Sequence, residues 1–121
     1  MSKESISKIY LIVEKINHIE IIVSNSGGIV KALEDITTTR PAILMHLTAI
    51  AEQFNKLKQS HSTEILNRFE AEDLKGLYDV RTYIAHDYEG INLSIIEWII
   101  RYGLPKFKIQ CKKILDHEKE T

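Results

Sequence analysis

Apolar residues recur along this chain at steps of three, four or seven, the period of one face of an α-helix. Ile6, Ile9, Val13, Ile16 and Val23 predict a first helix, stopped by the stretch from Ser24 to Gly28. The β-branched run from Ile19 to Val23 has the composition of a strand. It keeps the helical phase, however, and no partner strand with hairpin signals follows it. A short helix is predicted from Ile29 to about Asp35.

The clearest helix comes next. Pro41 sits where a first helical turn tolerates proline, and Ile43, Leu47, Ile50, Phe54 and Leu57, flanked by Leu44 and Ala51, form a stripe wide enough for a central core helix. A polar stretch from Lys58 to Thr63 and a short amphipathic piece separate it from a long helix over Glu72 to about His86. That helix is expected to bury Leu74, Leu77, Tyr78, Ile84 and Ala85, which leaves Arg81 on the same stripe as core residues. Past a loop from Asp87 to Ile91, either Asn92 or the Ser94/Glu97 capping-box pair starts another helix, expected to bury Ile95, Trp98, Ile99 and Tyr102. Gly103 and Pro105 predict a break or kink. A last helix then runs from about Pro105 into a charged tail, Asp116 to Thr121, expected to fray.

No repeat, low-complexity tract or linker divides the 121 residues, so the expectation is one domain over residues 1–121, all-α, an antiparallel helical bundle with short additional helices. The hydrophobic fraction of 44% is enough to close one core without disulfides. Cys111 is the single cysteine, which excludes an internal disulfide framework and a thiolate zinc site and fits a reducing cytosol. Charges at Lys8, Glu14 and Lys15 break the first apolar stretch, so neither a signal peptide nor a membrane span is expected; the chain reads as cytoplasmic. A net charge of -1 gives a polyanion no long-range attraction, so any nucleic-acid contact has to be local.

Known chemistry-bearing patterns are scarce. Gly27 and Gly28 lack the spacing and strand context of a phosphate loop and read as a helix terminator. His18, His46, His61, His86 and His117 include no pair at the i, i+4 spacing of a helical metal site, and no Asp-x-Asp cluster exists, so neither metal nor cofactor is expected. Lys106, Lys108, Lys112 and Lys113 cluster on the last helix within reach of phosphates, although a solvated helix face accounts for them more simply.

What remains is the segment from Arg81 to Tyr88. A helix ending near His86 would let its imidazole swing toward the Arg81 guanidinium and leave the Tyr88 phenol beside both. Those groups are a reasonable minimum for cutting RNA without a metal: an imidazole can take the proton of a ribose 2′-hydroxyl, and a guanidinium can hold the charge developing on the adjacent phosphate. The products would be a 2′,3′-cyclic phosphate and a free 5′-hydroxyl. Spacing alone leaves a second reading open, in which Arg81 pairs with an acid such as Glu52, His86 caps the helix and Tyr88 packs.

The pattern Arg81-x4-His86-x-Tyr88 resembles the signature of the HepT-like branch of the HEPN superfamily. The segment from Pro41 to Leu57 is similar to that family's central helix, with Glu52 where an acidic residue is usual. Gly90 to Trp98 and the Leu104-Pro105 step resemble the helix and junction that follow the motif. The resemblance implies a HEPN bundle that dimerises with its two motifs facing a shared cleft, and a toxin ribonuclease in which Arg81 and His86 are catalytic. It also implies a minimal nucleotidyltransferase as antitoxin, with Tyr88 as the acceptor of AMP, whose bulk and charge would keep an RNA phosphate from Arg81. Two positions depart from the family pattern: Thr82 stands where Asn, Asp or His usually follows the arginine, and Asp87 where glycine is commoner. With Glu52 they are candidates to orient the site. The alternative, from another functional class, is a non-catalytic helical subunit that binds a nucleotidyltransferase and its substrate.

Overall fold

A computed structural model describes residues 1–120 of the chain. Among them are seven α-helices and no strand: α1 Lys3–Ser26, α2 Ile29–Glu34, α3 Thr39–Gln59, α4 Thr63–Leu66, α5 Ala71–His86, α6 Leu93–Trp98 and α7 Leu104–Glu120. The helical fold class matches the expectation, and the contacts between helices set their directions. Ser5 meets Ser62 and His18 meets His46, so α1 and α3 run antiparallel. Glu52 meets Arg81 while Lys58 lies over Tyr78, which makes α3 and α5 antiparallel too. Lys108 reaches Glu20 and the amino terminus lies near Glu118, which fixes α7 against α1.

One hydrophobic cluster joins the long helices, with Ile9, Ile16, Ile50 and Phe54 fully enclosed in it. At one end Phe54, Phe69 and Phe107 gather with ring centroids 5.0 to 6.0 Å apart, tying α3, the segment before α5 and α7 together. The α1 stripe differs from its sequence assignment. Ile9, Ile12, Ile16 and Ile19 are its buried centre, and Ile6, Val13 and Val23 lie on its flanks. An all-round supply of isoleucine and valine made either line plausible until α3 and α7 packed against one of them.

Helix ends follow local chemistry. The Ser2 side chain accepts from the Ser5 amide and starts α1. Gly27, at φ 88°, ends it, with the Gly27 and Gly28 amides returning to the carbonyls of Ser24 and Val23. The same left-handed exit closes α3, but there it falls on His61, at φ 57°, a position glycine would hold with less strain. Thr39 and Arg40 donate from α3 to the carbonyls of Ala32 and Leu33, which satisfies the end of α2.

The segment after the motif settles one open alternative and carries a correction. Asn92, rather than the Ser94/Glu97 pair, caps α6, its Oδ1 accepting from the amides of Ser94 and Ile95. The break or kink expected at Gly103 and Pro105 takes the form of a π-turn, Ile99–Gly103, which joins α6 to α7 without interrupting the helix, and the Leu104 amide bonds five residues back to Ile99. Proline lacks the amide that would bond four residues back and crowds the carbonyl there, and a widened turn accommodates both defects without leaving the helix. The buried face is also different. Ile96, Ile99 and Ile100 turn inward, whereas Ile95, Trp98 and Tyr102 are exposed. On α5, Leu74 and Leu77 are buried as expected and Tyr78 and Ile84 partly so, while Ala85 is exposed and Val80, outside the predicted stripe, is buried. The charged tail remains helical through Glu120 because Ile114 and Leu115 anchor α7 in the core; Thr121, also assigned to that tail, lies outside the described residues.

Candidate active site

α5 carries the candidate site on its last turns. Arg81 donates from Nε to Oε1 of Glu52, which reaches across from α3. The two side chains are 41% and 35% exposed, so the pair sits at the rim of the bundle, not inside it. Only Nε is engaged: both terminal nitrogens of the guanidinium are without partners among the described residues. An arginine held by its inner nitrogen presents its outer fork to solvent, the geometry that binds phosphate oxygens in pairs.

His86 is the final residue of α5 and is exposed. Asp87 turns the chain out of the helix at φ −148° and ψ 60°, its amide donating to the Tyr83 carbonyl. Tyr88 opens the 3-10 turn Tyr88–Gly90 and is 42% exposed. No hydrogen bond links the imidazole or the phenol to another described side chain. The contact between Arg81 and Glu52 is therefore made directly, while His86, Asp87 and Tyr88 lie on the adjoining turn with no bond to that pair. Thr82 is occupied elsewhere, its hydroxyl donating to the Tyr78 carbonyl at 3.1 Å on its own helix.

Beside this turn a cavity of about 280 Å³ opens between the end of α5 and the start of α6. Val80, Tyr83 and Ile95 give it apolar walls, and Asp87, Gly90 and Asn92 also line it; Arg81, His86 and Tyr88 do not. Gly90 lies close against its neighbour: a Cβ there would press on the Asp87 carboxylate, which would have to swing aside. Nothing in the spacing of residues marks this cavity, because its walls come from two helices whose separation is a tertiary fact.

The model of the family described as ribonuclease HepT-like matches residues 9–114. The chain belongs to the HepT-like family. That family is one of ribonucleases, and the matched stretch includes Glu52, Arg81, His86 and Tyr88. No curated protein and no solved structure matches the chain.

Elsewhere in this HepT-like chain, the lysines of the last helix are partly neutralised. Lys106 pairs with Glu70 and Asp73 at 3.0 and 2.9 Å, and Lys108 with Glu20 at 2.9 Å, leaving Lys112 and Lys113 exposed. Hydrogen bonds that its ammonium donates to Asp73 and then to Glu70 hold the Lys106 pKa above its ordinary value. A side-chain pair missed by helical spacing also emerges: His18 of α1 and His46 of α3 meet edge to face with ring centroids 5.1 Å apart. No pattern within one helix could have revealed them. Among the described residues no group of three or more His, Cys, Asp or Glu is placed to hold a metal ion, and no helix is long and apolar enough to cross a membrane.

Proposed function

We propose that this HepT-like chain is the toxin of a toxin-antitoxin pair and cleaves RNA internally without a metal. His86 takes the proton of a ribose 2′-hydroxyl; the 2′-oxygen attacks the adjacent phosphorus, and the bond to the 5′-oxygen breaks. The cut leaves a 2′,3′-cyclic phosphate, and the proton required by the 5′-oxygen returns from the imidazolium or from water. Arg81 binds the phosphate through its two free terminal nitrogens and stabilises the charge on it as the bond breaks. Glu52 acts as a positioning residue that holds the guanidinium in place. The observation that carries this reading is the anchoring of Arg81 by Nε alone, within a chain whose family is one of ribonucleases.

Two further parts complete the proposal. The exposed stripe of Ile95, Trp98 and Tyr102 supports a homodimer, since an apolar face of this kind on α6 and the π-turn loses water when a second copy covers it. The accessible phenol of Tyr88 supports its role as the acceptor of AMP from a nucleotidyltransferase antitoxin: its oxygen attacks the α-phosphorus of ATP, and pyrophosphate leaves. The added phosphate sits two residues from His86 and excludes RNA by charge and bulk.

The test expresses the chain alone and with a nucleotidyltransferase, monitoring growth, RNA ends and protein mass. The wild-type chain is expected to arrest growth and leave cyclic-phosphate ends, His86→Ala to do neither while remaining folded, and the co-expressed chain to gain AMP on Tyr88. Undiminished toxicity of His86→Ala would remove the base from the mechanism. Failure of the wild type to cut RNA at any dose would favour a non-catalytic subunit.

A further inference from the structure

The cavity beside the motif has a chemistry that phosphate binding leaves unused. Its walls are apolar, and Tyr83 at 58% exposure offers an aromatic face there. At about 280 Å³ it falls just below the range of drug-sized pockets, a volume suited to a single planar base. Two polar side chains line it with complementary hydrogen-bonding capacity. The Asp87 carboxylate, seated against Gly90, accepts no hydrogen bond and forms no ion pair, so both of its oxygens are available. Asn92 has its Oδ1 committed to the Ser94 and Ile95 amides at 2.9 and 3.4 Å, which fixes its amide nitrogen as a free donor.

We propose that this cavity is a subsite for a guanine base of the RNA substrate. Two adjacent acceptors and a nearby donor select among the bases. Guanine alone presents two neighbouring donors, its N1–H and N2–H, to match the two carboxylate oxygens, together with an O6 acceptor for the Asn92 amide. Adenine and cytosine each bring a single amino donor beside a ring acceptor that would face the carboxylate, and uracil brings one N–H between two carbonyls. Tyr83 contributes stacking, which every base shares, so the choice among bases falls to Asp87. Asp87 immediately follows His86 in the chain, so a base held there belongs to a nucleotide near the cleaved bond. The inference rests on the ribonuclease reading for its substrate, while the pocket chemistry stands on the residues themselves.

Asp87→Asn is the informative variant: the carboxylate makes no internal bond, so the fold keeps its contacts, yet one acceptor becomes a donor that opposes guanine. RNA of randomised sequence is digested by the wild type and by the variant, and the cyclic-phosphate ends are sequenced. The wild type is expected to enrich guanine about tenfold at one fixed position beside the cut, and Asp87→Asn to reduce that enrichment below about twofold. Cleavage without guanine enrichment, or enrichment indifferent to the substitution, overturns the subsite and leaves the ribonuclease standing. If neither protein cuts RNA, the ribonuclease reading fails, and NMR titration with GMP, AMP, CMP and UMP decides the pocket. Shifts of the Gly90 and Asn92 amides with GMP alone, abolished by Asp87→Asn, support a site for free guanine nucleotides. Equal or absent shifts with all four overturn it.

Discussion

Replacing Glu52 by glutamine separates what the Arg81 pair contributes to the fold from what it contributes to catalysis. With the two side chains 41% and 35% exposed, the ion pair is well solvated and contributes about 0.2–1 kcal/mol to stability. For a chain of this length that corresponds to a melting shift of under roughly 5 °C. The catalytic cost is expected to be larger. Glutamine keeps an oxygen that can accept from Nε but removes the charge that tightens the contact, so the guanidinium regains part of its side-chain freedom of about 1.5–2 kcal/mol, which has to be lost again as it clamps the transition state. The kcat for RNA cleavage by Glu52→Gln should therefore fall, by up to about 30-fold. KM should fall slightly as well, because a negative charge beside the phosphate site has gone. Arg81→Ala removes the clamp itself and should cost about 100-fold or more. The double variant should be no slower than Arg81→Ala, since an acid that acts only through the arginine has nothing left to position. Melting curves and single-turnover cleavage of a defined RNA measure all of these quantities. Wild-type kcat in Glu52→Gln, or costs that add in the double variant, would refute the positioning role; a melting drop beyond about 10 °C would make the pair structural.

Three other outcomes follow from the fold. Burial on α3, then the charges of His18 and Lys15, holds the His46 pKa below the ordinary imidazole value of 6.5. The unfolded chain thus binds more protons in the window below that value. The stability contribution is fully present above pH 6.5 and is lost as pH falls through the folded pKa, which urea midpoints at pH 7.5 and 5 should show and His46→Gln should flatten. Cys111 is fully enclosed, and burial pushes its thiol pKa up to about 12, so a thiol reagent at pH 8 should label it only after denaturation; prompt labelling of the native chain would contradict that enclosure. His61→Gly should stabilise the chain by about 0.5–1 kcal/mol, because glycine occupies the left-handed exit of α3 without a Cβ penalty; a lower denaturation midpoint would show that the His61 side chain matters more than its backbone.

The amino-acid order alone determined the helical class, the extent of α3, the glycine stop after α1 and the end of α5 at His86, because these depend on neighbours three and four residues apart. Asn92 was legible as one of two possible caps, and the choice between them needed the observed path of the chain. Tertiary packing decided the rest. The segment from Ile95 to Tyr102 carries apolar residues on both faces, so periodicity fits either face, and burial of Ile96, Ile99 and Ile100 against the core settles which one turns inward. The meeting of Arg81 with Glu52, the contact of His18 with His46, and the cavity that leaves the Asp87 carboxylate unpaired all join residues on separate elements. Short-range pattern records which side of a helix is apolar; it holds no record of which helix will lie against that side.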